Sequence, residues 1–171
     1  MADTLKTLNC PACGKEMKKI FIPEQGINLD ICTEGCGGIY FDNREFDDFD
    51  EQNENISTII ENLEGKNFSK PATNNTRICP NCGTKMVKNN SSVHKTIEID
   101  ECYACGAKFL DNNELVKIRA EYENNDQRDE DILRYLYKEV GQELAQQEQR
   151  YSQINPNKTF VRKLFYKLTG M

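Results

Sequence analysis

No stretch of the sequence holds the roughly 18 consecutive apolar residues of a membrane-spanning helix. Met1 to Asn9 lacks the apolar segment of a secretory leader. The chain is therefore expected in the cytoplasm, where disulfides are rare. Hydrophobic residues make up only 37% of the 171, which is too lean for one large apolar core. Histidine is nearly absent. The single residue, His94, has no nucleophile motif to serve and reads as a solvated hairpin residue, so nothing here names an enzyme.

Positive charge is also short. The formal net charge is -6, and it is unevenly spread. Residues 1–50 carry 10 acidic and 5 basic side chains, and residues 121–150 carry 9 and 4. Residues 77–120 reverse the balance with 5 and 7, and residues 151–171 hold 4 basic side chains and no acid. A chain this acidic is a poor generic ligand for a phosphate backbone.

What the sequence does have is cysteine, eight in all, in closely spaced pairs. Cys10-Pro11-Ala12-Cys13-Gly14 is answered by Cys79-Pro80-Asn81-Cys82-Gly83. Cys32 and Cys36, then Gly37 and Tyr40-Phe41-Asp42, are answered by Cys102 and Cys105, then Gly106 and Phe109-Leu110-Asp111. Every cysteine has a counterpart, so the chain is an internal duplication. The gaps between successive cysteines are 2, 18 and 3 residues in the first copy and 2, 19 and 2 in the second. Two to four residues between paired ligands let a tight turn aim both sulfurs at one ion, and the long gap lets a hairpin return to close the tetrahedron. Gly35 is placed to absorb the extra residue of the first copy. A redox Cys-x-x-Cys would need a thioredoxin-like βαβ pattern, which is missing. Zinc fits best, although iron accepts the same four thiolates. All four positions are filled, leaving none for a catalytic water. Eight thiolates and two Zn²⁺ bring the chain to a charge of about -10.

Lys18 to Ile22, Ile27 to Ile31, and in part Val93 to Ile99 alternate as strands do. Ile39 to Phe41 and Lys108 to Leu110 read as short third strands. Asp42-x-x-Glu45 and Asp111-x-x-Glu114 then resemble capping boxes, which start a helix after each unit. This reading is preferred over an acidic site.

The run Cys-Pro-x-Cys-Gly, a second cysteine pair, and Gly-Gly-Ile-aromatic-hydrophobic-Asp-x-x-Glu resembles the transcription factor IIB-type zinc-ribbon family. The resemblance covers about Asn9–Phe49 and Ile78–Val116. It implies one Zn²⁺ on Cys10, Cys13, Cys32 and Cys36 and another on Cys79, Cys82, Cys102 and Cys105. Where that family often has tryptophan, this chain has Tyr40, and Ala107-Lys108 stands in place of Gly38-Ile39. The expected fold is a small metal-bound α+β protein. It comprises two tandem zinc ribbons, each a β-hairpin plus a short third strand followed by a helix, and a helical C-terminal region. The expected segments are 1–50 (ribbon 1), 51–76 (helix and linker), 77–120 (ribbon 2 and its helix) and 121–171 (helical region with a basic tail).

Phe46, Phe49, Asn53, Ile56, Ile60 and Leu63 recur at heptad steps and form a candidate dimer seam. The plainer reading packs them within the chain. Asn67 to Thr76 has linker composition, which leaves the ribbons free to move independently. Residues 112–123 and 129–150 are expected to be helical around a break at Asn124 to Asp126. Ile132, Leu133, Leu136, Tyr137, Val140 and Leu144 form the apolar stripe of the second helix. Residues 158–169 form a basic amphipathic helix of the kind that docks on an acidic partner, nucleic acid or a membrane surface. The preferred reading folds it back on the acidic 121–150 helix, because the charges complement and the intervening loop is short.

These features are read as a zinc-binding, non-catalytic module that serves as a protein-interaction adaptor. Nucleic-acid binding or transcription regulation through ribbon 2 and the tail is the alternative, favoured by Arg77, Lys85, Lys88, Lys95 and Lys108. A third reading is a thiol-based zinc or redox sensor. Elemental analysis of the purified chain should return two zinc ions per molecule. One ion, or iron, would overturn the ligand assignment.

Overall fold

A computed structural model describes residues 6–71 and 76–154. The side chain of Leu144 and residues 155–171, including the helix expected over 158–169, lie outside the described residues. The chain divides into two units, Met1–Gln127 and Arg128–Met171.

The first unit is built on six antiparallel strands. Ribbon 1 supplies β1 (Lys18–Ile22), β2 (Ile27–Ile31) and β3 (Ile39–Phe41). Ribbon 2 supplies β4 (Val87–Asn90), β5 (Glu98–Glu101) and β6 (Lys108–Leu110). The order across the sheet is β1-β2-β3-β6-β5-β4. The ribbons therefore meet edge to edge through their third strands. Ile39 pairs with Leu110, Tyr40 with Phe109 and Phe41 with Lys108. This register is symmetric about the Tyr40–Phe109 pair, as expected where a duplicated unit pairs with its own copy.

The seam corrects the expectation of independent ribbons. A three-residue strand paired on one side only leaves a row of backbone donors and acceptors open, and the copy satisfies them. The contacts around the seam are reciprocal. Gly37 lies against Asn112, and its counterpart Gly106 lies against Asn43. A Cβ on Gly38 would strike the Phe109 ring. Even the start of the linker is tied down, since the Ser69 N–H donates to the Gly35 carbonyl at 3.1 Å.

One face of the sheet carries the core. Ile20, Ile22, Leu29, Ile31, Ile39, Phe41, Ile99 and Leu110 pack against Phe46, Phe49, Ile59, Leu115 and Ile118. The Phe41 ring meets Phe46 edge-on, with centroids 5.5 Å apart. These last five residues come from a 3₁₀ turn (Glu45–Asp48) and the residue after it, from α1 (Ser57–Leu63), and from α2 (Glu114–Arg119). Ribbon 1 is thus followed at once by a 3₁₀ turn, with its α-helix delayed to Ser57. Ribbon 2 passes directly into α2.

The heptad seam over residues 46–63 is not one continuous helix. Residues 49–56 are irregular, and of the seam residues Phe46 and Phe49 are buried in the chain's own core with Ile56 and Leu63 partly buried against it, as the plainer reading had it. Arg119 holds this loop in place. Its guanidinium donates to the carbonyls of Phe49 (2.6 Å), Gln52 (3.0 Å) and Glu54 (2.7 Å). Gln52 returns the contact through its amide, which donates to the Arg119 carbonyl at 2.8 Å. With the run broken at 49–56 and Phe46 and Phe49 turned inward, the segment offers no continuous coiled-coil face. The hairpin of ribbon 2 is also shorter than its sequence pattern. Only Ile99 of the alternating set lies in a strand, and Lys95, at a φ of 56°, donates its N–H to the Ser92 carbonyl at 3.2 Å.

The last described helix, α3, spans Asn125–Ile154. Asn124 caps it, since its side chain accepts from the Gln127 N–H at 2.9 Å, and Gln127 accepts from the Glu123 N–H at 2.9 Å. Within the second unit Leu133, Leu136, Tyr137 and Val140 are exposed.

Replacing Gly38 with valine should force the Phe109 ring from the seam. The expected cost is about 1–3 kcal/mol, as for overpacking in other cores. Urea denaturation of the zinc-loaded variant against the parent measures it. Equal midpoints would contradict the tight approach of the two ribbons.

Candidate metal centres

Each cysteine pair sits on a tight turn, and the turns repeat between the ribbons. The Gly14 N–H donates to the Cys10 carbonyl and the Gly83 N–H to the Cys79 carbonyl, both at 2.9 Å. Both glycines have a φ of 75°, a left-handed conformation that a side chain would strain. On the second pair the Cys32 N–H donates to the Gly38 carbonyl (2.9 Å), as the Cys102 N–H does to that of Ala107 (2.8 Å). The extra residue of ribbon 1 is accommodated inside this loop, where the Gly37 N–H still reaches the Cys32 carbonyl at 3.0 Å.

The hairpins bring all eight predicted ligands into two groups. Cys10, Cys13, Cys32 and Cys36 form one, and Cys79, Cys82, Cys102 and Cys105 form the other, with the sulfurs in each within 4.8 Å of one another. Cys10 Sγ is 3.5 Å from Cys36 and Cys13 Sγ is 3.4 Å from Cys32. In ribbon 2 Cys79 is 3.6 Å from Cys105 and Cys82 is 3.4 Å from Cys102. A disulfide needs about 2.0 Å. A tetrahedral ion with sulfurs at about 2.3 Å sets their mutual distance near 3.8 Å, so the donor set fits zinc. Gly35 supports the same conclusion. A Cβ there would lie 2.6 Å from Cys32 Sγ and 2.7 Å from Cys13 Sγ, so the cradle has room for the sulfurs alone.

The thiols differ in their surroundings. The hydrogen bond from Cys10 is the first cause holding Cys36 down, to about 6. The Thr84 hydroxyl, joined by its N–H, lowers Cys82 to about 6, while burial pushes Cys32 up to about 11. A bound divalent ion overrides these differences, because a coordinating thiol is deprotonated outright. Binding therefore releases protons and weakens in acid.

The transcription factor zinc-finger family matches residues 9–49 and 78–121, which contain both sets of ligands. Both ribbons belong to that family. The two matched segments make up about half the chain. No curated protein and no solved structure matches it. The zinc-finger ribbons each hold one zinc ion, and their fold is the small α+β arrangement of two Cys₄ units expected from the repeat.

Two sequence readings change in the structure. Glu45 and Glu114 do reach back to the Asp42 and Asp111 N–H groups, each at 2.7 Å. Asp111 does not complete its box. It instead binds Arg77, with both carboxylate oxygens 2.8 Å from Nη2, and no side chain caps α2. Arg77 is the second change. Grouped by sequence with the phosphate-binding candidates, it is 5% exposed, paired with Asp100 at 2.6 Å and stacked over Phe109. Lys108 is likewise occupied, 4.6 Å above the Phe46 ring and 3.5 Å from Asp47. His94 stays an exposed hairpin residue, as the sequence suggests, with its ring centroid 5.3 Å from that of Tyr122.

Sequence reading missed one contact altogether. Tyr40 of ribbon 1 places its hydroxyl 3.2 Å from Cys79 Sγ of ribbon 2. Burial, followed by that contact, raises the phenol well above its ordinary range.

Replacing Arg77 with leucine should cost about 3–5 kcal/mol, because Asp100 is left buried without its cation. Adding Asp100→Leu should recover most of the loss. Chemical denaturation of both zinc-loaded variants tests this, and a neutral single variant would refute it.

Proposed function

We propose that the chain is a non-catalytic, zinc-stabilised adaptor that binds another protein through α3. The observation that carries this reading is the exposed apolar stripe on an acidic helix. Leu133, Leu136 and Val140 are each half exposed and Tyr137 is 78% exposed. The stretch around them carries five acids, Asp129, Glu130, Asp131, Glu139 and Glu143, against two bases, Arg134 (paired with Glu130 and Asp131) and Lys138. An apolar strip flanked by carboxylates repels phosphate and suits a groove or helix face of a protein with basic flanks. Four thiolates fill each zinc site, which supports a structural role for the ions over a Lewis-acid one.

The nucleic-acid reading loses support, because Arg77 and Lys108 are engaged within the fold. Among the described residues, no helix is long and apolar enough to cross a membrane. A cytoplasmic adaptor is consistent with the sulfur chemistry, since free thiolates persist under reducing conditions.

The experiment compares affinity capture from the native host with the parent chain and with Leu133→Lys/Leu136→Lys, both zinc-loaded. A protein retained by the parent and lost with the variant is the expected result. Equal retention would remove α3 as the docking element. Binding to mixed DNA and RNA should stay undetectable between about 50 and 200 mM salt. A steep salt-dependent affinity would favour the nucleic-acid alternative.

A further inference from the structure

The two zinc sites share one ligand set and one first-pair turn; the second-pair turn is one residue longer in ribbon 1, and a further difference lies at the seam. Tyr40 and Phe109 are register partners in β3 and β6. They occupy the same place in their respective repeats, on the face opposite the core. Both are buried, together with Cys10, Cys32 and Cys36 of one site and Cys79 and Cys102 of the other. Only Tyr40 has a hydroxyl, and that hydroxyl reaches across the seam to Cys79, a ligand of the other ribbon's site. Cys79 is itself 1% exposed, so water does not supply the same donor.

A metal-bound thiolate carries no proton, so in the loaded protein the phenol is the donor. A charge-assisted bond of this kind draws negative charge from the sulfur. The sulfur then becomes less basic and less open to attack by acid or a competing chelator. Outer-shell donors of this sort hold a ligand in place and tune its metal.

We propose that Tyr40 is a positioning residue for the zinc site of ribbon 2, so that retention of that ion depends on ribbon 1 being docked at the seam. The dependence runs one way, because Phe109 has no donor to offer ribbon 1. The inference rests on the two-zinc assignment and is independent of the partner bound by α3.

The test uses the full chain. Zinc transfer to a chromogenic chelator is followed for the parent and for Tyr40→Phe, a change that keeps the ring and removes only the donor. One ion of the variant should leave about 10-fold faster, and the other should leave at the parent rate. Loading with ¹¹³Cd identifies the site. Two resonances are assigned through their couplings to cysteine β protons, and only that of Cys79, Cys82, Cys102 and Cys105 should shift. Unchanged release of both ions would overturn the proposal. Equal acceleration of both would also overturn it, because that is the signature of a loosened seam. If Tyr40→Phe fails to load metal, the parent still decides. A phenolic proton should couple to the ribbon 2 cadmium across the hydrogen bond, and the absence of that coupling refutes the contact.

Discussion

Three residue pairs across β3 and β6 turn two metal-bound hairpins into one sheet. Each third strand has only three residues, and alone it would leave one edge open to solvent or to another chain. Pairing the copies closes both edges at once. It also brings the helical segments that follow each ribbon onto a shared core, where Phe46 and Phe49 meet Leu115 and Ile118. Arg119 then fastens the loop of the first ribbon to the helix of the second. None of these contacts is available to a single ribbon.

The metal acts at a different level. A unit of about 40 residues buries too little apolar surface to fold by burial alone. Four thiolates on one ion supply apparent binding energy of about 10–16 kcal/mol in small finger peptides, which is folding energy where no preformed site exists. The ions therefore secure each hairpin, and the seam secures the pair. Both supports meet at Tyr40, a seam residue whose hydroxyl lies against a ligand.

Duplication also shows where the copies have diverged. Leu8 and Arg77 precede the first cysteine of their ribbons by the same two residues, and both are buried. Leu8 needs no partner, whereas Arg77 draws in Asp100 and Asp111 and stacks on Phe109. Asp30, the counterpart of Asp100, pairs instead with Lys19 of the neighbouring strand at 2.9 Å. The changes fall inside the fold, so they alter how the ribbons support each other and leave the ligands alone.

Much of this was legible in the sequence, because the signals were local. Cysteine spacing identified the two ligand sets, and short alternating runs located β1, β2 and both third strands. Strand β4 escaped notice because Val-Lys-Asn-Asn is fully exposed and carries no apolar alternation. The heptad steps over 46–63 misled for a physical reason. The same residues serve a core that a 3₁₀ turn, a pinned loop and a short helix reach by different routes. Asp111 read as a cap until a buried arginine 34 residues away claimed it. Residue spacing alone was enough to name the two sets of four sulfur ligands, since cysteine pairs two or three residues apart aim both sulfurs at one ion. Only the tertiary structure decided that the two ribbons share a sheet and that Tyr40 of one serves Cys79 of the other. Backbone pairing between distant strands depends on which edges are left open once each hairpin has closed, and residue spacing does not encode that.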